Sequence, residues 1–229
     1  MTGKLTGIGI GPGDPELMTL KAVRCIEDSD IVAIPGEAVE ESIAYKIALG
    51  AVPALIEKEV VPIAMPMTKD PLVLAENHDR GRDRIEEYLD QGKNVSFLTL
   101  GDPTVYSTYM YVHKRVKEDG YETEIISGIP SFCAVAARFG ISLGEKADEI
   151  HIIPASYQIE EALTLPGTKI LMKAGRNLAR VKEILLKIQN TDVYMIENCG
   201  MEEEHMYNGA ENMPDDAGYY TLLIVKERG

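Results

Sequence analysis

Short runs of apolar and β-branched residues alternate with helical patterns along most of the chain. In the first half, the runs that predict strands are residues 5–10, 31–34, 60–63 and 95–100. In the second half, they are residues 124–126, 150–153, 169–172, 193–196 and 221–225. In the first half, strands that alternate with helices in this way are typical of βαβ units, so the pattern predicts an α/β fold with a largely parallel sheet there.

Amphipathic helices are predicted between some of these strands, and the lengths of the connections suggest two domains. One amphipathic helix is predicted from Leu178, Val181, Leu185 and Ile188, and an earlier one from Val105, Tyr109, Val112 and Val116. The connections become shorter after about residue 120, so we expect an N-terminal α/β domain over residues 1–118 and a C-terminal α/β domain over residues 119–229. No linker rich in Pro, Gly or Ser separates the halves, which favours a ligand cleft between them. The irregular stretch 62–84 is expected to form a loop over that cleft.

Composition and charge narrow the possible classes of function. The 229 residues are 45% hydrophobic and 26% charged, which is typical of a folded globular protein. The net charge of -14 repels phosphates and anionic lipid, so neither a nucleic-acid partner nor a membrane surface is expected. No apolar run reaches the ~18 residues needed to span a bilayer. The three cysteines form no paired motif, so we expect a cytoplasmic protein without a disulfide framework.

The first candidate loop is Gly-Ile-Gly-Pro-Gly-Asp-Pro at residues 9–15, directly after the first predicted strand. It resembles the start of a dinucleotide fingerprint, but Asp14 occupies the place of the third glycine. A carboxylate there would face the pyrophosphate, so a dinucleotide site is disfavoured. Asp14 is better explained as the cap of a helix that begins at Pro15.

The second candidate loop is Gly-Asp-Pro-Thr-Val-Tyr at residues 101–106, after the strand predicted at residues 95–100. Asp102 could also be only a helix cap, with Pro103 at the first helical position. Two strand ends that both carry Gly, Asp and Pro nevertheless favour one ligand site built from adjacent loops, at the edge where open α/β sheets bind ligands. A free carboxylate in that place suits an ammonium, a hydroxyl or a sulfonium, and does not suit phosphate.

Other turns and clusters carry weaker signals. Residues 127–131, 173–177 and 197–200 each follow a predicted strand and could be plain turns. The four histidines, His78, His113, His151 and His205, have no metal-ligand spacing, so no metal site is expected. The run of glutamates at 202–204 is most simply a solvated loop.

Taken together, these loops resemble the tetrapyrrole methylase family, whose members transfer a methyl group from S-adenosylmethionine to corrin and sirohaem precursors. The resemblance covers essentially the whole chain and rests on residues 7–14, 100–103 and 127–131 and on Glu197-Asn198. Met65-Pro-Met67 and residues 101–108 and 197–201 are most similar to members that methylate C-20 of precorrin-2 or cobalt-factor II in cobalamin synthesis. Residues 33–36, Ala-Ile-Pro-Gly, depart from the Asp-Arg-Leu pattern of uroporphyrinogen methylases.

The resemblance implies a two-domain α/β fold with S-adenosylmethionine in the trough between the domains, and a homodimer. It assigns the methionine and ribose side of the cofactor to Pro12, Leu100, Gly101, Asp102 and Val105. It assigns the adenosine side to Pro130, Ser131, Lys173, Ala174, Cys199, Tyr220 and Thr221. We add Tyr106 because of its place beside the second loop.

Methyl transfer from a sulfonium requires positioning rather than an enzyme nucleophile, so Asp102 is expected to orient the cofactor. No general base is identified. The polycarboxylated tetrapyrrole conflicts with the acidic net charge, so a local basic surface is expected. Its candidates are Arg80, Arg82 and Arg84, with Lys69, Lys173 and Arg176 as further ones.

Three alternatives remain open. The first is a methylase of the same fold that acts on another tetrapyrrole carbon or on a modified protein histidine. The second is a nicotinamide-dependent oxidoreductase in which Glu37 binds the ribose. The third is a carrier that binds tetrapyrrole or nucleoside without catalysis.

Overall fold

The computed structural model describes residues 2–66, 68, 70–154 and 159–228, and all of Arg176 except its side chain. The chain divides into two compact units, Met1–Pro130 and Ser131–Gly229. Strand β5, Glu122–Ile126, pairs with the first strand of the chain and therefore belongs to the first unit. The division expected after residue 118 thus falls before β5, because the pattern of apolar residues does not reveal which sheet a strand joins.

The first unit contains a five-stranded parallel sheet in the order β3-β2-β4-β1-β5. Its other strands are β1 Lys4–Gly9, β2 Ile31–Pro35, β3 Glu59–Ile63 and β4 Val95–Thr99. Its helices are α1 Leu20–Asp28, α2 Ile43–Ala51, α3 Pro71–Asp90 and α4 Tyr109–Glu118. The predicted α/β class and the parallel sheet of this half are confirmed.

One face of this sheet packs against α3 and α4. Alternate strand residues such as Leu5, Ala33 and Phe97 form a buried cluster with Ile85 and Val112 of these helices, as the period of two along a strand requires. Tyr109, the first residue of α4, is completely buried against β1. A Cβ on Gly7 would lie 2.1 Å from Cε1 of Tyr109, so a glycine is required at this point of β1.

Helix α3 corrects the expectation of a loop over residues 62–84. It begins at Pro71, and the Asp70 side chain caps it by accepting a hydrogen bond from the Leu72 backbone N at 2.9 Å. His78, Gly81 and Ile85 bury one side of it. Although α3 is 20 residues long, no helix of the described chain is long and apolar enough to cross a membrane.

The second unit contains a mixed sheet in the order β6-β7-β10-β8-β9. Its elements are α5 Ser131–Phe139, β6 Ile150–Pro154, α6 Ile159–Ala162, β7 Thr168–Met172, α7 Leu178–Leu185, β8 Thr191–Glu197, β9 His205–Asn208 and β10 Thr221–Glu227. Among the described strands of this sheet, β6 and β7 pair in parallel and the other neighbours pair antiparallel, an arrangement that the apolar pattern of this half did not specify. Because β10 runs against β7 and β8, its first residue lies beside the last residues of both neighbours.

Candidate functional site

The two candidate loops of the first unit lie side by side. Strands β1 and β4 are parallel neighbours with Gly9 opposite Thr99, so the loops that follow leave the sheet at the same edge. The Gly101 backbone N donates to the Gly11 carbonyl O at 2.7 Å, and the Gly11 N donates to the Gly101 O at 3.3 Å. Both glycines have positive φ, 79° and 71°, which favours glycine. The expected adjacency of the two loops is confirmed.

A third loop, after β5, packs against these two. A Cβ on Gly9 would lie 2.4 Å from the Gly128 backbone N, and a Cβ on Gly128 would lie 2.1 Å from the Gly101 carbonyl O. Three strand ends therefore meet backbone to backbone, with no room for a side chain at either position. The carboxyl edge of β1, β4 and β5 is one continuous surface made of residues 10–19, 100–108 and 127–130, which we call the first edge.

The Asp102 carboxylate holds this surface together. Its Oδ1 accepts hydrogen bonds from the Thr104 backbone N at 2.8 Å and from the Thr104 hydroxyl at 2.5 Å. Its Oδ2 accepts a hydrogen bond from the Gly128 N at 3.0 Å, and Asp102 is only 7% exposed. The expectation of a carboxylate free to meet a ligand is therefore wrong, because the group ties the second loop to the third.

Asp14 is a helix cap, as expected. Its Oδ1 accepts a hydrogen bond from the Glu16 backbone N at 2.9 Å, at the start of a short 3-10 helix that begins at Pro15. The next helix, α1, is capped by the Thr19 hydroxyl. Both side chains satisfy backbone donors that the helix itself leaves unpaired.

The remaining sequence candidates of the first unit lie along the first edge. Pro12 is buried, Leu100, Val105 and Pro130 are half-buried, and Tyr106 is exposed. Tyr106 has a φ of 47°, a backbone conformation that is uncommon outside glycine.

In the second unit, five sequence candidates meet at the carboxyl ends of β7 and β8, which we call the second edge. They are Lys173 and Ala174 after β7, Cys199 after β8, and Tyr220 and Thr221 where β10 begins. The Ala174 N donates to the Thr221 O at 3.4 Å, and the Asn198 N donates to the Tyr220 O at 3.0 Å. Ser131 is the first residue of α5 and is half-buried.

The second edge also contains backbone in the left-handed region at non-glycine residues. Lys173 has a φ of 59° and Asn198 a φ of 54°, and each directly follows a strand. Such positions cost about 1 kcal/mol each and cluster at ligand sites. The Lys173 ammonium lies 5.7 Å from the centre of the Tyr219 ring.

The surroundings of Cys199 disfavour its thiolate form at neutral pH. Burial, aided by the Glu204 carboxylate, raises the pKa of its thiol to about 11. Because the thiolate is the reactive form, the buried thiol is inert. The contribution of Cys199 to a site is therefore through its backbone or its shape.

Two glutamates at the second edge were missed as functional candidates. The Glu197 Oε1 accepts a hydrogen bond from the Gly218 N at 2.5 Å. The Glu204 Oε2 accepts one from the Gly200 N at 2.6 Å and pairs with Arg138 at 3.1 Å, so this residue is not part of a purely solvated run. The sequence motif includes Glu197 and Asn198, but the hydrogen-bond partner of Glu197 is Gly218, which lies 21 residues away in the chain.

The three arginines do not belong to the loops of the first edge. Helix α3 starts after the carboxyl end of β3 and ends before the amino end of β4. Arg84 therefore lies about 20 Å along the helix from Pro71, the first residue of α3. Arg82 pairs with Asp83 and Asp119, Arg80 with Glu76, and Arg84 with Glu87. Each guanidinium already has a carboxylate partner within its own unit, and a role of the three arginines in binding substrate carboxylates stays a prediction. Lys69 and the side chain of Arg176 lie outside the described residues.

The chemistry of the first edge suits a cationic nucleoside ligand. Its residues, all of them described, include Asp14, Glu16 and Asp102 and no lysine or arginine. A pyrophosphate would meet these acidic groups, which disfavours a dinucleotide. A sulfonium and an ammonium are compatible with this surface, as in S-adenosylmethionine.

The fold and these strand edges define an α/β protein whose strand ends carry loops that contain Gly and Asp. The family model for tetrapyrrole (corrin/porphyrin) methylases matches residues 4–212. The chain belongs to this family.

Full-length relatives carry names within cobalamin synthesis. The chain is 34% identical to the probable cobalt-precorrin-2 C(20)-methyltransferase of Methanocaldococcus jannaschii, over 97% of this chain and 96% of the relative. It is 29% identical to the precorrin-2 C(20)-methyltransferase of a Sinorhizobium species, over 97% and 95%.

A solved structure shares the fold. The uroporphyrin-III C-methyltransferase of Thermus thermophilus, complexed with S-adenosylhomocysteine, aligns with a TM-score of 0.75 at 18% identity, over 98% of both chains. The two-domain tetrapyrrole methylase fold expected from the sequence is confirmed.

Proposed function

We propose that this protein methylates C-20 of precorrin-2, or of its cobalt-containing form, with S-adenosylmethionine as the methyl donor, in cobalamin biosynthesis. The observation that carries the proposal is the 34% identity to a relative of that name over nearly the whole of both chains. The absence of lysine and arginine from the first edge, all of which is described, supports a sulfonium rather than a phosphate ligand.

The proposed cofactor contacts are given for each unit separately. In the first unit, the proposed contacts are Pro12, Leu100, Gly101, Val105, Tyr106 and Pro130. In the second unit, they are Ser131, Lys173, Ala174, Cys199, Tyr220 and Thr221. Asp102 acts as a positioning residue, because its oxygens already accept hydrogen bonds from Thr104 and Gly128.

When bound, S-adenosylmethionine supplies an electrophilic methyl group. The carbon of a reduced tetrapyrrole is itself electron-rich, so this chain needs no covalent nucleophile for the transfer. The loops contribute by holding both molecules in line, which is the part of the barrier that positioning lowers. The close backbone packing of Gly9, Gly101 and Gly128 gives these loops a fixed geometry.

Lys173 is the cation that we propose for a substrate carboxylate, because it lies at the second edge beside Tyr219. We further propose that the enzyme works as a homodimer. The cytoplasm is the proposed compartment, because Cys25, Cys133 and Cys199 are all free thiols.

The proposal is tested by anaerobic incubation of the protein with methyl-¹³C-labelled S-adenosylmethionine and either metal-free or cobalt-loaded substrate. We expect S-adenosylhomocysteine to be released and one new ¹³C signal to appear at C-20. A label on a pyrrole carbon would assign another position, and binding of both ligands without S-adenosylhomocysteine release would indicate a carrier.

A further inference from the structure

The segment of residues 218–221 presents two exposed tyrosines at the second edge. Tyr219 and Tyr220 are 40% and 37% exposed, and their rings meet edge to face with centroids 5.2 Å apart. The backbone carbonyls of Tyr220 and Thr221 accept hydrogen bonds from Asn198 and Ala174. This segment therefore belongs to the same surface as the loops after β7 and β8.

Glu197 and two close contacts fix the start of this segment. The Glu197 Oε1 lies 2.5 Å from the Gly218 N, and the Thr221 hydroxyl donates to the Gly218 carbonyl at 2.7 Å. On the other side, a Cβ on Gly175 would lie 2.1 Å from the Gly218 carbonyl O. Gly218 is thus held at its N–H by a carboxylate and at its carbonyl by a hydroxyl and a neighbouring loop.

We propose that Glu197 is a positioning residue for the cofactor: by holding Gly218, it sets the place of Tyr219, Tyr220 and Thr221 relative to Lys173 and Ala174. This inference rests on the proposed function, since it assumes that these residues face the adenosine. The carboxylate acts as a hydrogen-bond acceptor inside the protein, and its charge does not touch the ligand. An acceptor at the Glu197 position is therefore what the site requires.

Calorimetric titration with S-adenosylhomocysteine distinguishes these roles. Glu197→Ala should raise the Kd about tenfold, the effect of one lost charge-assisted hydrogen bond. Glu197→Gln should stay within about threefold of the wild type, because its amide oxygen still accepts from Gly218. Glu202→Ala, which removes an exposed glutamate from the following loop, is the matched control and should bind like the wild type. At saturating cofactor, kcat of the Ala variant should match the wild type while KM for the cofactor rises.

Gly218→Ala tests the same contact independently, because it leaves the Glu197 side chain in place. Its Cβ would lie 2.8 Å from the Glu197 Oε1, so it should displace the carboxylate and weaken binding to a similar degree. The double variant should be no weaker than either single one, because both break the same contact. If Glu197→Ala does not fold, the Kd of Gly218→Ala for S-adenosylhomocysteine tests the inference, provided that this variant has the melting temperature of the wild type.

Two results would overturn the inference, and a third would remove its basis. Wild-type affinity in the Ala variants would show that the contact does not position the ligand. Equal weakening by Gln and Ala would mean that the charge itself meets the ligand. Failure of the wild-type protein to bind S-adenosylhomocysteine would instead remove the proposed function on which the inference rests.

Discussion

At the residue scale, Asp102 and Asp14 are similar in sequence and different in structure. Each stands in a Gly-Asp-Pro motif after a strand, and each side chain accepts a hydrogen bond from the backbone N two residues later. Only Asp102 also reaches another loop, through the Gly128 N. Asp14 therefore serves one helix end, whereas Asp102 joins two strand ends of the site.

Substitution by asparagine separates these two roles. In Asp102→Asn, the amide NH₂ must face either Gly128 or Thr104, and both present an N–H donor. We expect a loss of about 1–3 kcal/mol in the free energy of unfolding, and weaker binding of S-adenosylhomocysteine. Asp14→Asn is the control, because asparagine caps helices as well as aspartate does. Denaturant unfolding and calorimetry of both variants check this, and a wild-type profile for Asp102→Asn would contradict it.

Gly7 makes a second residue-scale prediction. Gly7→Ala would place a methyl group 2.1 Å from the buried Tyr109 ring, so we expect a destabilisation of about 3 kcal/mol, at the upper end of the cost of overpacking. Gly144→Ala is the control, since its nearest neighbour is the end of the Ile150 side chain at 3.2 Å. Similar melting temperatures for the two variants would show that β1 and α4 separate easily.

At the scale of elements, Glu86 of α3 is a half-buried acid close to Asp119, at the end of α4. Burial raises the pKa of the Glu86 carboxyl to about 7, and Asp119 adds to the shift. The Glu86 Oε1 is buried and has no hydrogen-bond partner among the described residues. The ionised form of Glu86 is therefore disfavoured in the folded protein relative to the unfolded chain.

The raised pKa of Glu86 predicts that the free energy of unfolding falls as the pH rises. The unfolded pKa of a glutamate is about 4.3, so the stabilising effect of protonated Glu86 is complete below that value. It is lost as the pH rises through about 7. Glu86→Gln should therefore gain stability relative to the wild type between pH 5 and pH 8. Unfolding measured at several pH values checks this, with the exposed Glu118→Gln as control. A stability difference between Glu86→Gln and the wild type that does not change with pH would contradict it.

The sequence predicted where the strands lie better than it predicted which strands and loops contact one another. All five strands of the first sheet follow from apolar runs, and the Gly, Asp and Pro residues locate the loops of the first edge. The antiparallel pairings of β10 could not be predicted, because local patterns do not specify strand neighbours. The contacts of Asp102 with Gly128 and of Glu197 with Gly218 were missed for the same reason. The salt bridges of Arg80, Arg82 and Arg84 with neighbouring carboxylates were not predicted either, because charge spacing alone does not specify which pairs form.

At the scale of the whole molecule, the net charge of -14 opposes a polycarboxylated substrate. If long-range repulsion limits their encounter, salt should screen it. We expect kcat/KM for the tetrapyrrole to rise as ionic strength increases from low to physiological values. A fall in kcat/KM would mean that local cations such as Lys173 dominate. Steady-state kinetics at saturating S-adenosylmethionine measure this directly.

The central claim is the proposal that this protein binds S-adenosylmethionine and rejects phosphorylated nucleotides. Isothermal titration of the wild-type protein with S-adenosylhomocysteine and with NAD⁺, under the same conditions, tests it most directly. The acidic first edge predicts saturable binding of S-adenosylhomocysteine and no measurable heat with NAD⁺. Selective binding of NAD⁺ would contradict the account and favour an oxidoreductase.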